Sequence, residues 1–407
     1  MRIRVIMFAA FALIIANHAG IAQADQCSEP DLAQAAEQVG LARKALIALP
    51  VGDDRQTEVS PQAQQAISRM KDSLAAFVGA YMRCAPPDRD AATIQQDLDR
   101  LAHAYRLENK GEGHIYRSDE LPKDFDHYGF EFDFTVKRWN GHPDIVGIVP
   151  GFEIECGRDA VLLIYTSGGD AWQETIRWQS KPYQSVSEAF GSFDYAVSPA
   201  DDSGNWYVLT KTVAPECISA WSIISYAALR PSPAAGAPKI LYQAENPIYW
   251  GNDDFGKLSA DKTEFDVRFH AESIDTGVHN RVWIRHFKIA GDAVQRIQPV
   301  ALSPRDFADE WIVSPWQDAS QWTPPEARSG LIPWHLRLHK IGFFDYDSVR
   351  RCADRPDHYQ IGLLNENEQP AYYLSVTGQT DYQMTKISTK PDPACNGENI
   401  LDTLDTQ

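Results

Sequence analysis

The sequence predicts a mostly β protein with an N-terminal α-helical bundle, whose β body is a degenerate β-propeller or, alternatively, a layered β-sandwich. Three observations predict it. Apolar residues recur at helical spacing up to Glu108, the period switches to two after Asn109-Lys110-Gly111, and short turns rich in Gly, Asp and Asn join the later segments. The chain divides accordingly into a signal peptide over 1–24, a helical domain over 25–108, a β-rich domain over 109–390 and an acidic C-terminal tail over 391–407.

The first segment carries Arg2 and Arg4, then an apolar run from Val5 to Ile15, then Ala22-Gln23-Ala24, a small-x-small cleavage site. The apolar run is shorter than the ~20 residues that span a bilayer. Cleavage between Ala24 and Asp25 is therefore expected, with no membrane insertion afterwards and a periplasmic or secreted mature chain.

In the head, Ser28 is the expected cap of a first helix, with Pro30 in its first turn and Leu32, Ala35, Ala36, Val39 and Leu46 on its apolar side. Gly52-Asp53-Asp54-Arg55 breaks it. Ser60-Pro61 restarts a helix that buries Ile67, Met70, Leu74, Phe77 and Val78 and stops at Cys84, and a third carries Ile94, Leu98, Leu101 and Ala102. If the first two pair antiparallel, Cys27 meets Cys84. Sequence proximity then pairs Cys156 with Cys217 and Cys352 with Cys395, out of the 15 pairings that six cysteines allow.

In the body, Phe130, Phe132, Phe134 and Val136 alternate with polar residues, as do Phe265, Val267 and Phe269. Further strands are expected at 161–165, 172–178, 206–213, 218–229, 281–289, 294–300, 359–364 and 372–376. Ser167-Gly168-Gly169-Asp170, Asp202-Ser203-Gly204-Asn205 and Gly291-Asp292 supply tight turns. At the usual ~40 residues per blade, such a body holds roughly six or seven blades. Two helical insertions interrupt it, one opening at Ser303-Pro304-Arg305-Asp306 and one over Pro325 to Lys340.

The runs from Ala301 to Trp311, from Phe193 to Pro199 and from Tyr359 to Gly362 resemble stretches in a group of secreted bacterial proteins with no assigned activity. The resemblance covers most of the β body and little of the head. It implies export and a shared fold, and it carries over no catalytic residue.

Composition narrows the partners. The chain holds 38 Lys and Arg against 56 Asp and Glu, a formal charge of −18, and loss of Arg2 and Arg4 makes the mature form more negative. Such a surface repels phosphate backbones, so nucleic acid is excluded as a partner, and peripheral attachment to anionic lipid is disfavoured. No Walker loop, dinucleotide fingerprint or Gly-x-Ser-x-Gly elbow is present, and no cofactor is expected.

The candidate catalytic residues are Asp306, Asp309 and Glu310, which share a helix face at i, i+3 and i+4, so that neighbouring carboxyls can hold one proton between them. A solvated acidic face, with Arg305 paired to Asp309, is the competing reading. Glu131 and Asp133 share a strand face at a spacing that suits glycosidase carboxylates, as on any polar strand face. Trp311, Trp316 and Trp322 are the candidate ligand-binding residues, able to stack on sugar rings if exposed together and to pin an insertion if buried. His335 and His339 are the candidate metal pair if their segment is helical; on a strand they stand too far apart. Asp201 to Asn205 and Asn252-Asp253-Asp254 offer oxygen ligands for Ca²⁺, and turns use the same residues. The combined expectation is an exported, non-enzymatic binding or interaction protein with a carbohydrate or protein partner, the alternative being an envelope hydrolase of a carbohydrate or peptide polymer.

Overall fold

The structure is a computed structural model and describes residues 29–49, 58–107, 128–129, 131–139, 141–155, 157–215, 219, 221–232, 236–249, 256–274, 281–342, 344–353, 355–364 and 369–404. It is mostly β, with an N-terminal helical region, and it divides into two compact units.

The first unit comprises Met1–Ser192 and Pro231–Pro238. Its helices are α1 (Glu29–Ile47), α2 (Pro61–Cys84) and α3 (Ala91–Ala104). Ser60 caps α2 by accepting from Ala63 N, and Pro61 fills the first turn, where its missing N–H is no loss. Ser28 and the 52–55 break lie outside the described residues. Strands β1 (Phe132–Trp139), β2 (His142–Ile154), β3 (Gly157–Ser167) and β4 (Trp172–Gln179) form one antiparallel meander in sequence order. The helices of this unit pack on its sheet. Gln95 of α3 donates to Phe134 O at 2.7 Å and accepts from Val136 N at 3.0 Å, and the rings of Phe77 and Phe134 lie 6.1 Å apart. Alternation along β1 buries Phe132 and Phe134 for that purpose.

The second unit comprises Phe193–Arg230 and Lys239–Gln407. Its strands are β5 (Ser192–Val197), β6 (Val208–Val213), β7 (Trp221–Arg230) and β8 (Lys239–Tyr249), then β9 (Lys257–Ala260), β10 (Glu264–Ala271), β11 (Arg281–Ala290) and β12 (Ala293–Arg296). After helices α4 (Pro304–Val313), α5 (Trp316–Ala319) and α6 (Pro325–Ile341) come β13 (Tyr346–Cys352), β14 (Arg355–Leu364), β15 (Pro370–Thr377), β16 (Gln383–Ser388) and α7 (Leu401–Leu404). Each set of four strands is again a meander in sequence order, so the described residues hold four four-stranded sheets rather than six or seven. Strands as long as β2 and β8, and the helical segment 304–341, take up the chain length that the spacing estimate gave to further blades.

Two apolar cores organise this unit. One joins the β5–β8 and β9–β12 sheets through Tyr207, Leu209, Tyr226, Phe265, Phe269 and Phe287. The other joins the β13–β16 sheet to the helical segment through Phe307, Trp311, Trp322, Leu338, Ile361 and Leu374.

The C-terminal segment is bound to the edge strand β13. Ile400 N donates to Val349 O at 2.9 Å, Ala353 N donates to Ala394 O at 2.9 Å, and Cys352 is bonded to Cys395. That bridge spans 43 residues, a loop worth about 4 kcal/mol in the chain-entropy model. The predicted Cys352–Cys395 pair is thus present. Cys84 is also disulfide-bonded, while Cys27, Cys156 and Cys217 lie outside the described residues, and with them the other two predicted pairs.

Candidate functional site

The acidic helix face meets a face of β11. Register pairs Ala271 with Arg281, Phe269 with Trp283, Val267 with Arg285 and Phe265 with Phe287, so the two arginines lie on the apolar side of the β9–β12 sheet. Arg296 of β12 pairs with Phe287 and shares that side. Placing cations there requires compensation, since an unpaired buried charge is costly.

Helix α4 supplies it. Ser303 caps the helix by accepting from Asp306 N at 3.1 Å, and nearly all of the helix is buried, its apolar residues toward the β13–β16 core. Arg281 Nε donates to Asp309 Oδ2 at 2.8 Å, and its Nη2 donates to Glu310 Oε2 at 3.2 Å. Arg285 Nη1 and Arg296 Nη2 both donate to Glu310 Oε1 at 2.7 Å, and Ser314 Oγ adds a bond at 3.0 Å. Asp309 also accepts from Ser273 Oγ, from Ile274 N and from the Tyr346 hydroxyl. Arg305 pairs with Asp306 at 3.2 Å.

These contacts fix the protonation states. Burial favours neutral Glu310, but Arg285, Arg296 and Arg281 outweigh it and hold the carboxyl well below its ordinary range. Asp306 goes the other way, because burial raises it further than Arg281 and Arg305 lower it. Burial would depress Arg281, yet Asp309 and Glu310 raise it, whereas in Arg296 burial prevails and the shift is downward. Tyr346 is pushed well above the phenol range by burial and then by Asp309.

Aromatic rings complete the cluster. The guanidiniums of Arg281 and Arg285 lie 4.5 and 4.4 Å from the Trp283 ring, and that of Arg296 lies 4.9 Å from Trp322. Trp311 is fully buried, its indole N–H donating to Thr323 Oγ1 at 3.0 Å, and Trp322 is buried too. Trp316 is partly buried and meets Trp311 edge-on at 6.2 Å. The three tryptophans therefore pack the helical segment onto the sheets and do not form an open stacking face.

His335 and His339 lie one turn apart on α6 with rings stacked at 5.6 Å. His335 Nε2 bonds Ser314 O at 3.0 Å and His339 Nδ1 bonds Ile312 O at 2.8 Å. Both carbonyls belong to the end of α4, where a helix leaves its last acceptors unsatisfied. The i, i+4 spacing thus serves to cap a neighbouring helix, and burial lowers the His335 pKa. Among the described residues no group of three or more His, Cys, Asp or Glu could hold a metal ion.

The remaining candidates are separate. Asp133 is exposed and paired with Arg158 at 2.6 Å. Asp201 accepts from Ser203 N and Asn205 N, which closes a turn, and Asn252-Asp253-Asp254 lie outside the described residues.

Sequence reasoning placed the acids on one helix face but missed Arg281, Trp283, Arg285 and Arg296. The available signal was the run Arg281-Val282-Trp283-Ile284-Arg285, in which alternation leaves either face free to be the buried one. Comparison with protein-family models, with curated proteins and with solved structures finds no match.

Proposed function

We propose that the protein is an exported, non-enzymatic binding or interaction protein of the cell envelope or extracellular space. One observation carries this reading: Asp309 and Glu310 are buried and engaged by three arginines, with Glu310 held ionised, so neither is poised to exchange protons with a substrate. The Cys352–Cys395 bond is compatible with an oxidising compartment, and among the described residues no helix is long and apolar enough to cross a membrane. The charge of −18 argues against a nucleic-acid partner and leaves a carbohydrate or a protein.

For the architecture, four successive four-stranded meanders support the reading of each as a blade of a degenerate propeller. The core shared by the β5–β8 and β9–β12 sheets supports the layered alternative.

The purified protein is expected to turn over no member of a glycan or peptide library. Turnover that is lost in Glu310→Gln or Asp309→Asn, with the fold intact by circular dichroism, would replace this reading with the envelope hydrolase.

A further inference from the structure

We propose that Arg285 and Arg296 form a binding site for a small oxyanion, a carboxylate or phosphate, carried on a flat ring. The site deepens the binding reading above and rests on it.

Among the described residues four guanidiniums, those of Arg281, Arg285, Arg296 and Arg305, face three carboxyl groups, Asp306, Asp309 and Glu310. The surplus positive charge sits where little water can solvate it, and burial there is unfavourable until an anion balances it. Tyr226 and Tyr242 lie within the field of Arg285 and Arg296, but burial raises both phenols, so they stay neutral and supply no charge. The charge of Asp318 also reaches Tyr242.

Arg281 Nη1 and Arg296 Nε are buried without hydrogen-bond partners, which native interiors rarely tolerate. Among the described residues Arg285 gives only Nη1 to a protein acceptor, while its side chain keeps 10% exposure and that of Arg296 keeps 12%. Arg285 and Arg296 already converge on the single oxygen Glu310 Oε1. Two convergent forks with N–H groups to spare are suited to a second, external oxyanion.

Trp283 and Tyr242 are both partly buried against the core shared by the two sheets, and Tyr242 stands 4.5 Å from Phe287. Flat faces beside a cation favour a planar body on the anion.

The test is titration calorimetry with four probes, benzoate, phenyl phosphate, acetate and inorganic phosphate, on the full mature chain. Benzoate or phenyl phosphate is expected to bind saturably, more tightly than its ringless counterpart, and whichever of the two is tighter identifies the anion. Arg285→Gln should weaken binding about 10-fold or more, the scale on which a charged fork contributes to affinity. Should that variant fail to fold, Arg285→Lys keeps the charge and loses the fork, and a several-fold weakening is still expected. Absence of binding by all four probes, or equal affinity in the wild type and the folded arginine variant, overturns the site. Either result leaves the non-enzymatic reading standing, and turnover of the polymer library would leave an anion site standing.

Discussion

Two buried polar networks among the described residues, one in each compact unit, solve the same problem differently. In the first unit Lys71 of α2 donates to Ser180 O at 2.9 Å and to Ser180 Oγ at 2.7 Å, and it pairs with Asp159 at 3.2 Å. Asp159 in turn accepts from Ser180 Oγ, Ala160 N and Phe190 N. One cation meets one anion, the ammonium donates to both Ser180 oxygens beside the carboxylate, and both side chains are sealed from solvent. Among the described residues the arginine cluster of the second unit has four cations for three acids, and it leaves buried donors without acceptors. A closed, balanced network reads as a clamp that ties a helix to a sheet. An open, unbalanced one reads as a place where something else completes the set.

The largest expected effect comes from removing the anion in each. Glu310→Ala strands the guanidiniums of Arg285 and Arg296, while Arg281 keeps Asp309, and should destabilise by about 5 kcal/mol, the upper end for breaking a buried ion pair. Asp159→Ala strands one lysine that keeps both Ser180 oxygens, and about 3 kcal/mol is expected. Urea denaturation of both variants checks the order, and a larger loss for Asp159→Ala breaks the comparison.

Acid should act next, through Glu310. Its folded pKa is depressed, so its contribution is complete above the ordinary carboxylate range and is lost progressively as pH falls through that range toward the depressed folded value. Asp306 is shifted upward, so its contribution is present in acid and lost as pH rises, partly offsetting the first. His335, shifted downward by burial, also loses stability as pH falls through the ordinary imidazole range. The urea midpoint should therefore drop on acidification, and the drop should be smaller in Glu310→Gln. An unchanged slope in that variant would remove Glu310 from the account.

Single hydroxyls should matter less. Ser180→Ala takes away an acceptor from Lys71 and a donor to Asp159, for about 1–3 kcal/mol, whereas Ser273→Ala removes one of several donors to Asp309 and should stay near 1 kcal/mol. Thermal melts of the two variants distinguish them.

The smallest effect is expected where both charges go together. Lys71→Met with Asp159→Leu should change stability by about 1 kcal/mol or less, because a balanced pair can be replaced by apolar packing. A large loss would show that this network does more than clamp.

How far the sequence could be read follows the same contrast. Helices α2 and α3 were legible because Ser60-Pro61 and the spacing of Ile67, Leu74 and Phe77 act locally. So was β10, whose alternation survives in its burial. Strand β2 was not, since His142-Pro143 and Pro150-Gly151 punctuate a run that pairs all the same, and β9, β13 and β16 are too short or too polar to show a period. At the site, the acids at i, i+3 and i+4 were visible as a helix face. Their meaning was not, because the residues that neutralise them come from another element, and only tertiary pairing reveals that a face read as solvated is interior. The histidine pair shows this in miniature: its spacing fits a metal, yet its partners are carbonyls of another helix.

The order of the strands bears on how such a chain matures. Because each sheet is an uninterrupted stretch of sequence, a chain emerging from its N-terminus can complete β1–β4, β5–β8 and β9–β12 in turn, without waiting for distant segments. Strand β13 is different, since its outer edge is covered by Ala394 to Ile400, which arrive only after β14, β15 and β16. Until then it presents an unpaired edge of the kind that sticks to other chains. A chain that stops short of Cys395 should accordingly be made and folded over most of its length and still be lost to self-association.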